Sequence, residues 1–146
     1  MVLLIGLFSI ASLVYLANAT TLSMTVPARG EVNRKIDLAV EDRVKIQFTV
    51  VGKENSFISF FLVYPNATEM NFGEISVFSH TFVCDEKGDY TMCFVNNDTT
   101  GSKLVTLNYE IEHYLFGMPQ MLFLVLIIAV LCIAMVAVYV LASPSP

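Results

Sequence analysis

Few side chains in this sequence have the type and spacing that catalysis or metal binding requires. The chain has three cysteines, Cys84, Cys93 and Cys132, and two histidines, His80 and His113. Neither histidine has a Cys, His or Asp partner at a spacing typical of a metal site, and no glycine-rich phosphate loop is present. We therefore predict no enzyme, no metal site and no cofactor, with both histidines in ordinary structural positions.

The cysteine spacing predicts two free thiols. Cys84 and Cys93 are the pair to consider, because Cys132 lies in an apolar C-terminal segment. A β-hairpin with Glu86-Lys87 at its tip would place the two sulfurs about 13 Å apart along the strands. That separation is too long for a disulfide bond.

Two short motifs could carry glycans. Asn66-Ala-Thr and Asn97-Asp-Thr both match the acceptor pattern for N-glycosylation and both fall in predicted turns. Asparagine is also common in turns for conformational reasons alone, so both explanations stay open for Asn66 and Asn97.

The sequence divides into a charged middle segment and two apolar ends. Of the 146 residues, 55% are hydrophobic, and every charged residue lies between Arg29 and Glu112. Residues 121–142 contain no charge, proline or glycine and are long enough to cross a hydrocarbon core of about 30 Å. We predict a transmembrane helix there, in contact with membrane lipid, followed by a cytoplasmic tail at residues 143–146.

The N-terminal segment also points to a membrane. Residues 1–17 are apolar, and Ala17-Asn18-Ala19 resembles a signal-peptide cleavage site, although no Lys or Arg precedes the apolar run. Residues 1–19 are thus a signal peptide or an uncleaved anchor. In both cases residues 20–113 would form an extracytoplasmic domain, joined to the helix by a juxtamembrane linker at residues 114–120.

The middle segment predicts an all-β fold. Apolar and polar residues alternate over 44–50, 90–94 and 105–111, as expected for strands with one buried face. The run 57–64 is almost continuously apolar, which indicates a central strand or one buried on both faces. Turn residues such as those at 71–73 recur about every 8–14 residues, a spacing typical of an antiparallel β-sandwich.

A short motif helps to distinguish between families of β-sandwich domains. Gly88-Asp-Tyr90-Thr-Met-Cys93-Phe94-Val-Asn96 places a tyrosine three residues before a cysteine. Immunoglobulin domains have a separation of two, which puts both side chains on one face of the strand. Here the two side chains should point to opposite faces.

The motif residues Gly88, Tyr90, Cys93, Phe94 and Asn96 resemble the GOLD (Golgi dynamics) domain family of type I membrane cargo receptors of the early secretory pathway. The resemblance extends over roughly residues 25–112, including the strands around 51–65 and 103–111. It implies a β-sandwich that binds exported or membrane proteins, with a role in membrane trafficking or cargo recognition.

Three features of that family are missing from this sequence. The resemblance implies a first cysteine bridged to the Cys93 position, but no cysteine precedes Cys84. It also implies a coiled-coil segment before the membrane and sorting signals in the tail, which residues 112–120 and 143–146 do not contain. We therefore interpret the chain as a short form of the family.

The function expected from the sequence is non-enzymatic protein binding by a single-pass type I membrane protein. The loops at Asn66–Gly73 and Asn96–Gly101 are the predicted contact regions, because loops on rigid scaffolds commonly carry binding residues. Self-association is a further expectation. Nucleic-acid binding is disfavoured, because the net charge is −5 and no basic patch is present. The alternatives are an accessory subunit of a membrane or cell-envelope complex and, third, a small membrane enzyme.

Overall fold

The computed structural model describes residues 18–142, which divide into two units, residues 18–113 and residues 114–142. Residues 1–17 of the predicted signal peptide or anchor (residues 1–19) and the predicted tail at 143–146 lie outside this range. The first unit contains eight strands: β1 (Asn18–Val26), β2 (Glu31–Leu38), β3 (Arg43–Gly52), β4 (Ile58–Val63), β5 (Glu69–Ile75), β6 (Val77–Val83), β7 (Gly88–Val95) and β8 (Lys103–Glu112).

The eight strands form two antiparallel sheets of four strands each. Sheet A has the order β1-β8-β3-β6, and sheet B has the order β2-β7-β4-β5. The predicted fold class, an antiparallel β-sandwich followed by one apolar helix, is therefore confirmed.

Alternating side chains from both sheets fill the core. In β3, Val44, Ile46, Phe48 and Val50 are buried, and the residues between them face away from the core. The ring of Phe48 lies 4.9 Å from the ring of Phe60, measured between centroids across the two sheets. This contact shows that the period of two detected in the sequence is a core-facing pattern.

The strand predicted from the run 57–64 is central and has one buried face. Strand β4 lies between β7 and β5, with Ile58, Phe60 and Leu62 buried and Phe61 and Val63 partly exposed. Of the two alternatives offered by the sequence, the central position is the one the structure adopts.

The predicted hairpin around Glu86-Lys87 is wrong. Strand β6 pairs with β3 in sheet A, whereas β7 pairs with β2 and β4 in sheet B, so residues 84–87 cross between the sheets. Phe82 and Tyr90 are in contact across the core, with tilted rings whose centroids lie 5.7 Å apart. Alternation marks both strands equally and does not distinguish pairing within a sheet from packing between sheets.

The predicted turn at 71–73 is also wrong, because these residues lie inside β5. The pairing with β4 skips Phe72, which forms a β-bulge. Asn71 Oδ1 accepts a hydrogen bond from Gly73 N at 2.8 Å, and Gly73 has a φ of 79°. Asn71 and Gly73, which are residue types typical of turns, therefore form the bulge.

The second unit is a short ribbon followed by a helix. Strands β9 (Tyr114–Leu115) and β10 (Met118–Pro119) pair antiparallel, and helix α1 follows at Gln120–Ala142. The helix has 23 residues, which gives a length of about 35 Å at ~1.5 Å per residue. Among the described residues it is the one helix long and apolar enough to cross a membrane.

Gly88, the first residue of β7, is expected to be intolerant of a side chain. Its φ is +146°, and an added Cβ would lie 3.0 Å from Pro65 Cβ. We expect Gly88→Ala to lower the free energy of unfolding by about 1–3 kcal/mol, from backbone strain and crowding together.

Gly101→Ala is the matched control, because an added Cβ there meets nothing within 4 Å. It should change stability by no more than about 0.5 kcal/mol. Denaturant unfolding of the full chain in detergent micelles measures both changes. Equal effects of the two variants would contradict the assigned role of Gly88.

Candidate functional site

Tyr90, the tyrosine of the sequence motif, is held in place near the start of β7. Tyr90 is fully buried, and its hydroxyl donates a hydrogen bond to the carbonyl oxygen of Glu86 at 3.0 Å. This bond ties the crossover between the two sheets to the strand that follows it. Tyr90 is therefore part of the scaffold.

Cys84 is the immediate polar neighbour of Tyr90. The Cys84 thiol and the Tyr90 hydroxyl lie close enough to influence each other's ionisation. Burial, followed by the nearby Asp42 carboxylate, raises the pKa of Cys84 to about 11. Burial, followed by the proximity of Cys84, raises the pKa of Tyr90 to about 12. Because nucleophilic catalysis requires the thiolate, these protonated groups are poorly suited to it.

Cys93 and Phe94 point to opposite faces of β7. Phe94 is fully buried in the core, with its ring 5.0 Å from that of Phe60. Cys93 lies on the outer face of sheet B, buried beside Phe61, which pairs with it on β4. Burial raises the pKa of the Cys93 thiol.

Both Cys84 and Cys93 are free thiols in the structure. The hairpin register behind the predicted free thiols is nevertheless wrong.

Asn96, the last motif residue, joins the loops at the other end of β7. Its side-chain amide donates hydrogen bonds to the carbonyl oxygens of Val26, Pro27 and Gly101, at 3.3, 3.1 and 2.8 Å. Its Oδ1 accepts a hydrogen bond from Asp98 N at 3.1 Å. A fully buried side chain with every polar atom paired is a structural element, so Asn96 organises this end of the sandwich.

A charged network lies beside Asn96. Lys103 is almost fully buried, and its ammonium pairs with Asp98 Oδ2 at 3.0 Å and donates hydrogen bonds to Asn55 Oδ1 and to the carbonyl oxygen of Phe57. The Asn55 side chain donates to both carboxylate oxygens of Asp98. The bonds from Asn55, followed by that from Lys103, hold the pKa of Asp98 below its usual value.

A small polar cavity opens next to this network. It has a volume of about 120 Å³, and its wall includes Glu74, Ser59, Asn97, Asp98 and Lys103. With two carboxylates and one ammonium, the wall is suited to a polar or cationic side chain. The cavity is too small for the drug-sized ligands that typical pockets hold.

The two histidines have different structural roles. His80 lies on the core side of β6, with its ring 5.2 Å from that of Phe72. His113 Nδ1 lies 2.9 Å from Asp42 Oδ1, and Asp42 Oδ2 accepts a hydrogen bond from Ala39 N. Asp42 is buried, so this pair anchors the end of β8 to the β2–β3 loop. Within residues 18–142, no group of three or more His, Cys, Asp and Glu side chains is arranged to hold a metal ion.

The two acceptor asparagines differ in their surroundings. Asn66 is exposed in the β4–β5 turn, where its Oδ1 accepts a hydrogen bond from Thr68 N at 2.9 Å. Asn97 Nδ2, the atom that a glycan would occupy, donates to Ser59 Oγ at 2.9 Å. Glycosylation at both positions stays a prediction, and Asn66 is the sterically simpler acceptor.

The two predicted contact loops do not form one site. Strands β4 and β7 are antiparallel, so the turn at Asn66 lies at the start of β7 and the loop that begins at Asn96 lies at its end. The first region is also mostly strand, because β5 begins at Glu69. The second contains the Asn96 and Asp98 networks and borders the cavity.

The structure defines a class of protein: a two-sheet β-sandwich domain accompanied by one apolar helix long enough to span a membrane. The family model emp24/gp25L/p24 family/GOLD matches residues 21–121, more than half of the chain. The chain therefore belongs to this GOLD-domain family, as the motif on β7 predicted.

Other comparisons describe the fold alone. The structure of PliG from Aeromonas hydrophila, a periplasmic inhibitor of g-type lysozyme, is similar with a TM-score of 0.51 at 12% identity, covering 66% of this chain and 88% of that one. The Yersinia pseudotuberculosis-derived mitogen gives a TM-score of 0.46 at 12% identity, covering 71% of this chain and 99% of that one. No curated protein matches the chain.

Sequence reasoning missed the residues that carry the polar networks. Lys103 lies in the predicted strand 103–111, where nothing in the sequence indicates its burial, and Asn55 lies in the region 51–65 without a predicted role. The register that opposes Lys103 to Gly52 and Val26 brings these groups together, and it depends on long-range pairing. Local sequence patterns contain no signal for it.

Alkaline pH should destabilise the domain because Cys84 and Tyr90 ionise later in the folded state. Below about pH 7.5 both groups are protonated in both states, so they add no pH dependence. Between about pH 8 and 12 the unfolded chain loses these protons first, Cys84 before Tyr90, and stability falls.

Unfolding curves measured from pH 8 to 12 test this expectation. Tyr90→Phe should make the decline above about pH 10 shallower, because it removes one of the two groups. A decline of the same slope in both proteins would contradict the assignment to Tyr90.

Asn96→Asp should be among the most damaging isosteric changes in the chain. It would place a carboxylate oxygen against three carbonyl oxygens in a buried position, with an expected loss of about 3 kcal/mol or more. Asn97→Asp is the control, since Asn97 is exposed and the Ser59 hydroxyl can donate to the new carboxylate. In unglycosylated protein the control should lose less than about 1 kcal/mol. Similar melting temperatures for both variants would refute this role of Asn96.

Proposed function

We propose that this chain is a single-pass membrane protein whose extracytoplasmic GOLD sandwich binds other exported or membrane proteins during membrane trafficking. The observation that carries the proposal is the combination of a GOLD-family match over residues 21–121 with one apolar helix at Gln120–Ala142. Family resemblance supplies the trafficking role. The sandwich would lie on the lumenal or extracellular side.

The described residues support binding rather than catalysis. Cys84, Cys93 and Tyr90 are buried with raised pKa values, and every buried side-chain nitrogen and oxygen atom in the described residues has a hydrogen-bond partner. The parts of the sandwich available to partners are its strand edges, loops and outer faces. We infer that recognition uses these surfaces.

A stable accessory subunit is the second candidate, and the edges of sheet A favour it. Within the described part of the chain, strands β1 and β6 each have one neighbour, and both lack charged residues and proline. Such edges can accept a further strand from a partner or a second copy. Stable strand addition would be typical of a permanent complex.

Crosslinking in intact membranes, followed by mass spectrometry of the co-purified proteins, separates the two candidates. A varied set of exported or membrane proteins at low stoichiometry is expected for a cargo or sorting role. One partner in a fixed ratio, or self-crosslinks alone, would replace this proposal with the accessory-subunit role. The same chain with β6 altered by Ser79→Lys serves as a control for strand addition.

A further inference from the structure

The outer face of sheet B has a regular arrangement of apolar and acidic residues. Strand alternation and register place Glu31, Val95, Ser59 and Glu74 in one row across the four strands. The next row runs through Cys93 and Phe61, and the third ends at Glu69. The two central strands thus carry apolar side chains in the middle of the face, with Asp89 near the start of β7, and the two edge strands carry the other four carboxylates and Lys35.

The centre of this face is an apolar strip, which we call the channel. Phe61, Val63 and Val95 are partly exposed there, and none of them belongs to the core between the sheets. The Cys93 thiol, buried beneath them, lies close enough to Glu31 and Glu69 to be affected by both charges. The carboxylates on the two sides therefore border the same channel.

We call this surface the acidic face: the outward-facing residues of β2, β7, β4 and β5. It has five carboxylates, on Glu31, Asp37, Glu69, Glu74 and Asp89, and a single ammonium group on β2. One ammonium against five carboxylates leaves a net charge of −4, compared with −5 for the whole chain. Most of the net charge of the protein is thus concentrated on one side of the sandwich.

Most carboxylates of the acidic face form no ion pair. Among residues 18–142, Glu31, Glu69 and Glu74 form no ion pair, and the one pair on this face joins Lys35 to Asp89 at a distance of 3.9 Å. The outer face of sheet A is different, since its register sets Lys45 beside Glu110 and balances the charge.

Protection of strand edges does not explain this arrangement. Charges on edge strands prevent unwanted pairing, and either sign serves that purpose. The edges of sheet A carry no charge at all, and Asp89 lies on a central strand of sheet B. A predominance of negative charge around an apolar channel is, however, what electrostatic complementarity to a basic partner requires.

We propose that the acidic face binds an extended basic segment of another protein, with apolar side chains in the channel and Lys or Arg side chains reaching the flanking carboxylates. This inference rests on the proposed binding function and names its surface and partner chemistry. A second copy of this chain is unsuited to the face, because it would bring the same negative charge.

The dimensions of the face define the segment. The distance from Glu31 to Glu74 across four strands is about 14 Å, and the four rows along the strands extend over about 20 Å. A strand of about six to seven residues covers this length. An interface of this size predicts weak, transient binding, with dissociation constants of about 10–100 μM at low salt.

The cavity beside Asp98 extends the acidic face at one end. Ser59 and Glu74 belong both to the first row and to the cavity wall. A basic side chain at the end of the bound segment can enter between Glu74 and Asp98. This end of the face is therefore the expected anchor point.

The test uses the full chain in nanodiscs of neutral phosphatidylcholine and a labelled, capped peptide, Lys-Arg-Val-Leu-Val-Lys-Arg. Fluorescence anisotropy should show binding at least about tenfold tighter than that of the same peptide with glutamine at the basic positions. Affinity should fall steeply between about 50 and 300 mM salt, because exposed charges are screened. Equal affinity for the two peptides would overturn the proposal.

Matched variants locate the binding. Glu31→Gln with Glu74→Gln should weaken binding about three- to tenfold, whereas Glu110→Gln with Glu112→Gln, on the outer face of sheet A, should leave it unchanged. Both pairs remove two charges, so an equal loss would indicate attraction to the net charge alone and overturn the proposal. Unchanged melting temperatures confirm that the variants are folded.

Membrane crosslinking with the same variants separates this inference from the proposed function. If the Glu31 and Glu74 variant keeps the partner set of the native chain, the acidic face is not the recognition surface and the proposed function stands. If the native chain captures no other protein, the proposed function fails, and the peptide measurement still decides the chemistry of the face.

Discussion

The contact of Phe48 with Phe60 and Phe94 is the interaction on which the remaining structure depends. These rings come from the two sheets and lie 4.9–5.2 Å apart at the centre of the sandwich. Aromatic side chains contribute a large share of core energetics through the area they bury. Once they face inward, strand alternation fixes the direction of every other side chain on β3, β4 and β7. The orientation of these rings therefore also determines which residues lie on the outer faces of the sheets.

Both ends of β7 are then fixed by side chains that bind backbone atoms. The Tyr90 hydroxyl holds the crossover at its start, and the Asn96 amide holds three carbonyl oxygens at its end. Two residues of the motif that identifies the family thus hold this strand in place. The surface outside the motif includes the two outer faces, which differ strongly in charge. That difference is the basis for the proposed binding of a basic segment by sheet B.

Sequence patterns predicted the strands well and their partners poorly. Alternation identified β3, β7 and β8, and the motif at 88–96 led to the correct family. Alternation is a local property, however, and it is identical for strands that pair edge to edge and for strands that pack face to face. This is why β6 and β7 were assigned to one hairpin. The burial of Lys103 and the acid rows of sheet B depend on registers between distant strands, which one sequence does not reveal.

The strand order also determines when each sheet can be completed during synthesis. All four strands of sheet B lie within residues 31–95, so this sheet can assemble before the remainder of the chain has appeared. In sheet A, β1 has β8 as its one neighbour, and β8 ends at Glu112. Non-local pairing of this kind slows folding, because the intervening chain must be ordered first. The uncharged strand β1 consequently waits without a partner until nearly the whole domain is made, and this interval is when the chain is most vulnerable to pairing with the wrong strand.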